Sequence, residues 1–103
     1  MGIMSMFGFG PKPEEIKAYL DNGATILDVR TPAEYAEEHI EGSVNIPLDT
    51  VPQNVDRIKK MGKLVAHCRS GARSGNATDF LAKQGVDIIN GGGIANVQEI
   101  LNS

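Results

Sequence analysis

Short apolar runs alternate with segments of helical periodicity along most of this chain, and this alternation constrains the fold more than any other feature. The runs have the length of buried strands and lie at residues 25–29, 42–48, 63–67 and 86–90. Helical patterns surround them at residues 13–23, 31–39, 50–62, 74–85 and 94–103. Parallel neighbouring strands need a crossover between them, and crossover helices cover both faces of the sheet. The sequence therefore predicts an α/β domain with a small central, mainly parallel sheet flanked by helices on both faces.

The element boundaries follow from local signals. Thr31 and Glu34 have the spacing of a capping box, which predicts a short helix directly after the first strand. A second helix is predicted between residues 50 and 61. In the helix over 74–85 we expect Phe80 to face inward together with its apolar neighbours, and we expect the glycines at 91–93 to form a flexible turn.

The length of 103 residues allows one domain and leaves too little chain for a second core of ordinary size. We expect that domain at residues 12–103 and a flexible, apolar segment at residues 1–11. This opening segment lacks the basic region and the cleavage site of a signal peptide. One cysteine excludes an intramolecular disulfide and suits a reducing compartment, so we expect a cytoplasmic protein with no membrane association.

Charge and ligand content exclude further classes of function. The net charge of −3 argues against general nucleic-acid binding, which needs a basic surface to neutralise phosphates. His39 and His67 are the only histidines beside the single cysteine, so the chain lacks an obvious zinc set. We expect neither a metal nor a cofactor.

The stretch HCRSGARSGNA, residues 67–77, places Cys68 at the carboxyl end of the third predicted strand. Functional groups collect at this edge of open parallel sheets. A lone cysteine after an apolar run is commonly an unreactive core residue, but a core does not normally place arginines straight after a buried thiol. Cys68 is therefore a candidate nucleophile, with a candidate anion-binding loop formed by Arg69, Ser70, Gly71, Ala72, Arg73 and Ser74.

Each part of that loop favours the thiolate. Small residues at 71 and 72 let successive backbone N–H groups point inward as an anion nest. A helix that starts near Arg73 or Ser74 directs its positive dipole end at the same point, and two guanidinium groups add full charges. The pKa of a cysteine falls from about 8.5 to about 3.5–7.5 in such surroundings.

The loop length bears on what the thiolate attacks. Cysteine phosphatases place five residues between cysteine and arginine, whereas Arg73 follows Cys68 after four, and Ser74 holds the position of the phosphatase arginine. The shorter loop suits a terminal sulfur atom on Cys68 better than a tetrahedral phosphate. A sulfite or thiolate leaving group also departs without the acid that a phosphate ester requires.

Two motifs give the chain a resemblance to a known family. The first is DVRTPAEYAEEHIEGSVNIP, residues 28–47, and the second is CRSGARS, residues 68–74. With their separation and the alternation of strands and helices, they resemble the single-domain rhodanese-like sulfurtransferases from residue 13 to the end of the chain.

The resemblance implies a ping-pong transfer through a persulfide on Cys68, with no cofactor. Thiosulfate, a persulfide or a polysulfide would donate the sulfur, and cyanide, a thiol or a thiol protein such as thioredoxin would accept it. By similarity to the family, Asp28 and Arg30 support the loop from the neighbouring strand end without reacting.

Alternatives remain open at this stage. A sulfur carrier of the same fold would accept sulfur on Cys68 but turn over small donors poorly, and a phosphatase or arsenate reductase is disfavoured by the loop length. We interpret His67 as structural, because adjacent strand residues point to opposite faces. His39 is interpreted as a residue that caps a short helix and bonds to backbone.

Overall fold

The computed structural model describes residues 10–103, so the expected flexible segment lies outside the described residues as far as residue 9. Its helices are α1 (Pro13–Asp21), α2 (Pro32–Glu37), α3 (Val55–Lys59), α4 (Ala72–Lys83) and α5 (Ile94–Leu101), with a 3₁₀ helix at Leu48–Asn54 before α3. The strands are β1 (Thr25–Asp28), β2 (Val44–Asn45), β3 (Leu64–Cys68) and β4 (Ile88–Gly93).

Over the described residues these strands form one sheet in the order β2-β1-β3-β4, and every neighbouring pair is parallel. The predicted fold class is confirmed. Because all the strands run the same way, the residues that follow β1 and β3 meet at one edge of the sheet. This edge holds Cys68, the last residue of β3.

Alternating side chains of the strands divide the core into two layers. Leu27 and Leu64 belong to one layer, which also holds Ile58 and Leu81 from α3 and α4. Ile26 and Val65 point the other way into a layer built with α1 and α5. Helices therefore cover both faces of the sheet, as the sequence predicts.

Two sequence-based expectations need correction around the first layer. The segment expected as one helix over 50–61 begins as a 3₁₀ helix that contains Pro52, and regular α-helix starts only at Val55. Proline has no N–H for an α-helical bond. Phe80 is 36% exposed, whereas Ala77 and Leu81 are fully buried, so the inward face of α4 is narrower than expected.

The glycines at 91–93 belong to β4 and are not a flexible turn. Gly91 is the extra residue of a bulge, since Ala66 pairs with Asn90 and His67 pairs with Gly92. A Cβ on Gly91 would lie 2.7 Å from Cγ1 of Val65. Close packing of β4 against β3 thus overrides the turn preference of three successive glycines.

Among residues 10–103 no helix is both long and apolar enough to cross a membrane.

Candidate active site

The sulfur of Cys68 lies in a cup of hydrogen-bond donors at the carboxyl end of β3. Cys68 is buried, with 1% of its surface exposed. The N–H of Gly71 donates to Sγ at 3.0 Å, and the N–H and hydroxyl of Ser74 lie 3.4 and 3.5 Å from the same atom. The candidate loop therefore curls around the sulfur, and its donors converge on Sγ.

Gly71 makes this curl possible. It has a left-handed backbone with φ of +105°, and it is the N-cap residue of α4. Glycine adopts this conformation without the cost that a side chain would add. Helix α4 begins at Ala72, slightly earlier than the expected Arg73 or Ser74, so its free N–H groups point at the sulfur.

The surroundings lower the pKa of the Cys68 thiol to about 7. Burial is the largest single effect and raises the pKa, because it disfavours the charged form. Hydrogen bonds from the Ser74 hydroxyl and from the N–H groups of Ser74, Gly71 and Ser70 act together in the opposite direction and outweigh it. A thiol with this pKa is roughly half ionised at neutral pH.

The two loop arginines are not free cations, because both pair with one carboxylate. Arg73 makes a two-pronged contact with Glu34 at 2.8 and 3.1 Å, and Nη2 of Arg69 lies 3.0 Å from Oε2 of the same residue. One positive charge therefore remains on this group of three side chains. The expectation of two full charges beside the sulfur is replaced by a neutralised pair and a single excess charge.

Glu34 is held in place from α2. Thr31 caps this helix, and its N–H donates to Oε1 of Glu34 at 2.9 Å, so the predicted capping box is confirmed. The side chain is 15% exposed. Hydrogen bonds from Arg73 first, and then from Thr31 and Arg69, hold the pKa of this carboxyl well below its usual range.

Asp28 is the last residue of β1, the strand next to β3, and Arg30 follows two residues later. They form a buried ion pair, with Nη2 of Arg30 2.7 Å from Oδ2 of Asp28, and the same nitrogen donates to the carbonyl of Glu38. Asp28 also faces His67 on β3, whose Nε2 lies 3.6 Å from Oδ2 of Asp28. The structure thus places Asp28 beside His67 near the end of β3, and the support of the loop by this pair stays a prediction.

His67 faces away from the sulfur, and its Nδ1 lies 3.2 Å from the carbonyl of Cys68. Burial lowers the pKa of its imidazole, which favours the neutral ring. His39 stacks on Tyr35 with ring centroids 3.9 Å apart, and its Nδ1 lies 2.8 Å from the Tyr35 carbonyl near the end of α2. Both histidines have the structural contacts expected of them.

The structure adds two residues that sequence reasoning left outside the site. The sequence pattern assigns Glu34 to a helix cap and Asn90 to a strand. The Ser74 hydroxyl lies 2.7 Å from Oδ1 of Asn90. The order of the strands carries a usable signal for both residues, because β1 and β4 each neighbour β3 and residues near the carboxyl ends of all three parallel strands share one edge of the sheet.

No group of three or more potential metal ligands is present in the described part of the chain.

Comparison with known proteins identifies the family that the chain resembles. Residues 12–99 match the family model of the rhodanese-like domain. Thiosulfate sulfurtransferase PspE of Escherichia coli is 32% identical over 74 residues, which cover 69% of this chain and 71% of that protein. A sulfurtransferase of Allochromatium vinosum is 40% identical over 60 residues, which cover 58% of this chain and 56% of that protein.

Among solved structures, a rhodanese-related protein from Thermoplasma volcanium is similar with a TM-score of 0.73 and 28% identity. The match covers 87% of this chain and 91% of that chain. The likeness therefore extends over nearly the whole of both chains.

Proposed function

Because this chain belongs to the family of rhodanese-like domains, we propose that it is a sulfurtransferase that carries sulfane sulfur as a persulfide on Cys68. The observation that carries this proposal is the convergence of the N–H groups of Gly71 and Ser74 on one sulfur atom at 3.0 and 3.4 Å, with the Ser74 hydroxyl beside them at 3.5 Å. Such a cup stabilises negative charge on sulfur, whether that sulfur is a thiolate or the outer atom of a persulfide.

In the first half-reaction the thiolate of Cys68 attacks the outer sulfur of thiosulfate. A new S–S bond forms to Cys68, the S–S bond of thiosulfate breaks, and sulfite leaves with the electron pair. A persulfide or polysulfide donor reacts in the same way and releases a thiolate. No proton is transferred in either case, so the loop needs no general acid.

In the second half-reaction a nucleophile attacks the outer sulfur of the Cys68 persulfide. Cyanide bonds to this sulfur and is released as thiocyanate. The electron pair of the broken S–S bond stays on Cys68, which becomes a thiolate again. A small thiol or a thiol protein such as thioredoxin takes the sulfur in the same manner. These acceptors are reduced species, and the cytoplasmic location stays a prediction on that basis.

The arginines suit an anionic donor. The side chain of Arg69, the residue directly after Cys68, is 68% exposed, and that of Arg73 is 35% exposed. Their shared carboxylate on Glu34 leaves one excess positive charge at the entrance. This charge attracts the donor, and the backbone N–H groups then hold the transferred sulfur.

Intact-mass measurement after incubation with thiosulfate tests the proposal. We expect one added sulfur atom on the wild-type chain and its loss on adding cyanide, with thiocyanate released in equal amount. Cys68→Ser is the matched control, because it removes the single sulfhydryl of the chain and should gain no mass. A stable adduct without turnover of free thiosulfate would favour the carrier alternative.

The measurement is repeated with polysulfide and with a protein persulfide as donors. Their order of efficiency defines the class of donor. An unmodified Cys68 with all three donors would overturn the proposal.

A further inference from the structure

The side chain of Asn90 connects β4 to the loop that holds the sulfur. Oδ1 of Asn90 accepts the N–H of Gly92 at 2.9 Å and lies 2.7 Å from the Ser74 hydroxyl. Nδ2 of Asn90 donates to the carbonyl of Gly71 at 3.2 Å. These contacts place one amide beside two residues whose donors point at Cys68.

Backbone groups determine which way this amide faces. The N–H of Gly92 can only donate, and the carbonyl of Gly71 can only accept. The oxygen of Asn90 must therefore face Gly92 and Ser74, and its nitrogen must face Gly71. It follows that the Ser74 hydroxyl is the donor in the 2.7 Å contact, because an amide oxygen has no proton to give.

The Ser74 hydroxyl has one proton and several acceptors. Asn90 Oδ1 is the nearest at 2.7 Å, and Sγ of Cys68 lies at 3.5 Å, with the carbonyls of Gly71 and Gly92 at 3.2 and 3.4 Å. Two oxygens 2.7 Å apart with no proton between them repel each other. The observed geometry is therefore the one in which the proton lies between Ser74 and Asn90.

We infer that Asn90 is a positioning residue that acts through Ser74. While Cys68 is a neutral thiol, Oδ1 of Asn90 accepts the hydrogen bond of the Ser74 hydroxyl. When the sulfur becomes an anion, the hydroxyl rotates and donates its hydrogen bond to Sγ of Cys68 instead. The persulfide part of this inference rests on the proposed function, whereas the thiol part does not. After the hydroxyl rotates, Oδ1 of Asn90 keeps its bond to the N–H of Gly92.

The charge on sulfur supplies the driving force for this rotation. Hydrogen bonds to an ionised acceptor are roughly twice as strong as those between neutral groups. Cys68 and Ser74 are both buried, and low local dielectric strengthens the preference for the anion further. The number of hydrogen bonds to Sγ thus increases by one when the sulfur becomes charged. This takes one rotation of the Ser74 hydroxyl and no movement of the main chain.

Several charged groups surround the sulfur besides these neutral ones. Arg73 faces it from α4 and is paired with Glu34 on α2, which also binds Arg69. His67 precedes it on β3, with the Asp28 and Arg30 pair behind on β1 and the residues after it. In the described part of the chain, the side-chain hydrogen bonds of Asn90 go to residues 71, 74 and 92 and to none of these charged groups.

A pH titration of the Asn90 side-chain 13Cγ and 15Nδ2 signals by NMR tests the inference on the free thiol. We expect both signals to shift with the midpoint at which Cys68 becomes reactive to iodoacetamide. Ser74→Ala should abolish that shift and raise the alkylation midpoint by about one pH unit, the size of one lost hydrogen bond to a charged group. Cys68→Ser should leave the Asn90 signals flat, which excludes His67 as their cause.

Ser43→Ala is the matched control, since the Ser43 hydroxyl is also buried but donates to the carbonyl of Ile40. It should change neither the Asn90 titration nor the alkylation midpoint. Asn90 signals that stay flat in the wild type while Cys68 ionises would overturn the inference. So would a full-sized shift that persists in Ser74→Ala.

A second arm uses the chain loaded with thiosulfate. We expect the Asn90 signals of the persulfide form to take the thiolate position even below the thiol midpoint, and a thiol-like position there would overturn the persulfide part of the inference. Failure to form any persulfide would contradict the proposed function and leave the result of the free-thiol titration in force.

Discussion

At Cys68 two physical effects act on the same thiol in opposite directions. Burial opposes ionisation, and the converging donors of the loop favour it more strongly, so the pKa settles at about 7. The N–H donors are fixed by the backbone, but the charged groups are not independent of each other, because Glu34 binds both loop arginines. At the scale of single residues, Glu34 thus controls how much positive charge the sulfur and its substrates meet.

Glu34→Gln should lower the free energy of unfolding at pH 7 by about 1–3 kcal/mol, because charged hydrogen bonds from two arginines are replaced by neutral ones. Urea unfolding measures this change. Glu37→Gln is the control, since Glu37 is exposed on the same helix. Equal stability of the two variants would contradict a structural role for the Glu34 ion pairs.

The difference between wild type and Glu34→Gln should also depend on pH. The folded-state pKa of Glu34 is depressed, so its stabilisation is fully present above the unfolded pKa of about 4.3 and is lost as pH falls through the lower folded value. Unfolding of both chains from pH 7 down to about pH 2 should show the gap closing below about pH 4. A gap that is constant over this range would rule out the carboxylate as its origin.

At the scale of elements, β4 and its bulge pack against the loop that follows Cys68 and hold it in position. Gly93 pairs with Cys68, and a Cβ on Gly93 would clash with the carbonyl oxygen of Arg69. The absence of a side chain at Gly93 lets the strand pass directly beneath the loop. The shape of the sulfur cup therefore depends on a strand that contributes no reactive group.

Gly93→Ala should displace the loop, because backbone atoms of Arg69 and Ser70 lie where the new methyl group would be. We expect slower persulfide formation by at least tenfold and a loss of about 1–3 kcal/mol in unfolding free energy. Mass spectrometry over a time course and urea unfolding provide the two readouts. Gly10→Ala is the control, since nothing lies within 4 Å of a Cβ there; wild-type rates in Gly93→Ala would contradict the steric argument.

At the scale of the whole molecule, the buried pair of Asp28 and Arg30 ties separate parts of the fold together. Asp28 at the end of β1 faces His67 on β3, and Arg30 reaches the carbonyl of Glu38 after α2. Both residues are nearly inaccessible to water. An ion pair at such a place is costly to break, because the partner that remains is a buried and unpaired charge.

Asp28→Asn should lower the unfolding free energy by about 3–5 kcal/mol, a large fraction of the 5–15 kcal/mol typical of such domains. Thermal and urea unfolding measure the loss. Asp87→Asn is the matched control, because Asp87 pairs with Lys63 at a comparable distance of 2.8 Å but on the surface. We expect that control to unfold almost like the wild type, and a similar loss in both variants would show that burial of the pair does not matter.

Local patterns were sufficient for most of the elements and for the loop around Cys68. The alternation of strands and helices, the capping box at Thr31 and Glu34 and the small residues after Cys68 are all short-range signals, and the structure has each of them as expected. They succeed because hydrophobic periodicity and capping act between residues a few positions apart.

One expectation failed for a local reason, because Pro52 keeps the start of the helix over 50–61 from being α-helical. The other structural elements that differ do so because of contacts between distant segments. The glycines at 91–93 have the composition of a turn, yet pairing with β3 makes them a strand, and Phe80 has an apolar side chain but lies at the margin of the buried face of α4. Burial against a particular neighbour is not encoded in the periodicity of either segment.

The sequence by itself determined an α/β fold and the placement of Cys68 before a loop of small and basic residues at the carboxyl end of a strand, because those depend on local spacing. Only the tertiary structure decided the electrostatics of that loop. Glu34 lies 35 residues before Arg69, and Asn90 lies 16 residues after Ser74. The parallel sheet brings these side chains to one edge. There Glu34 reduces the positive charge of the loop arginines, and Asn90 competes with the sulfur of Cys68 for the hydrogen bond of the Ser74 hydroxyl.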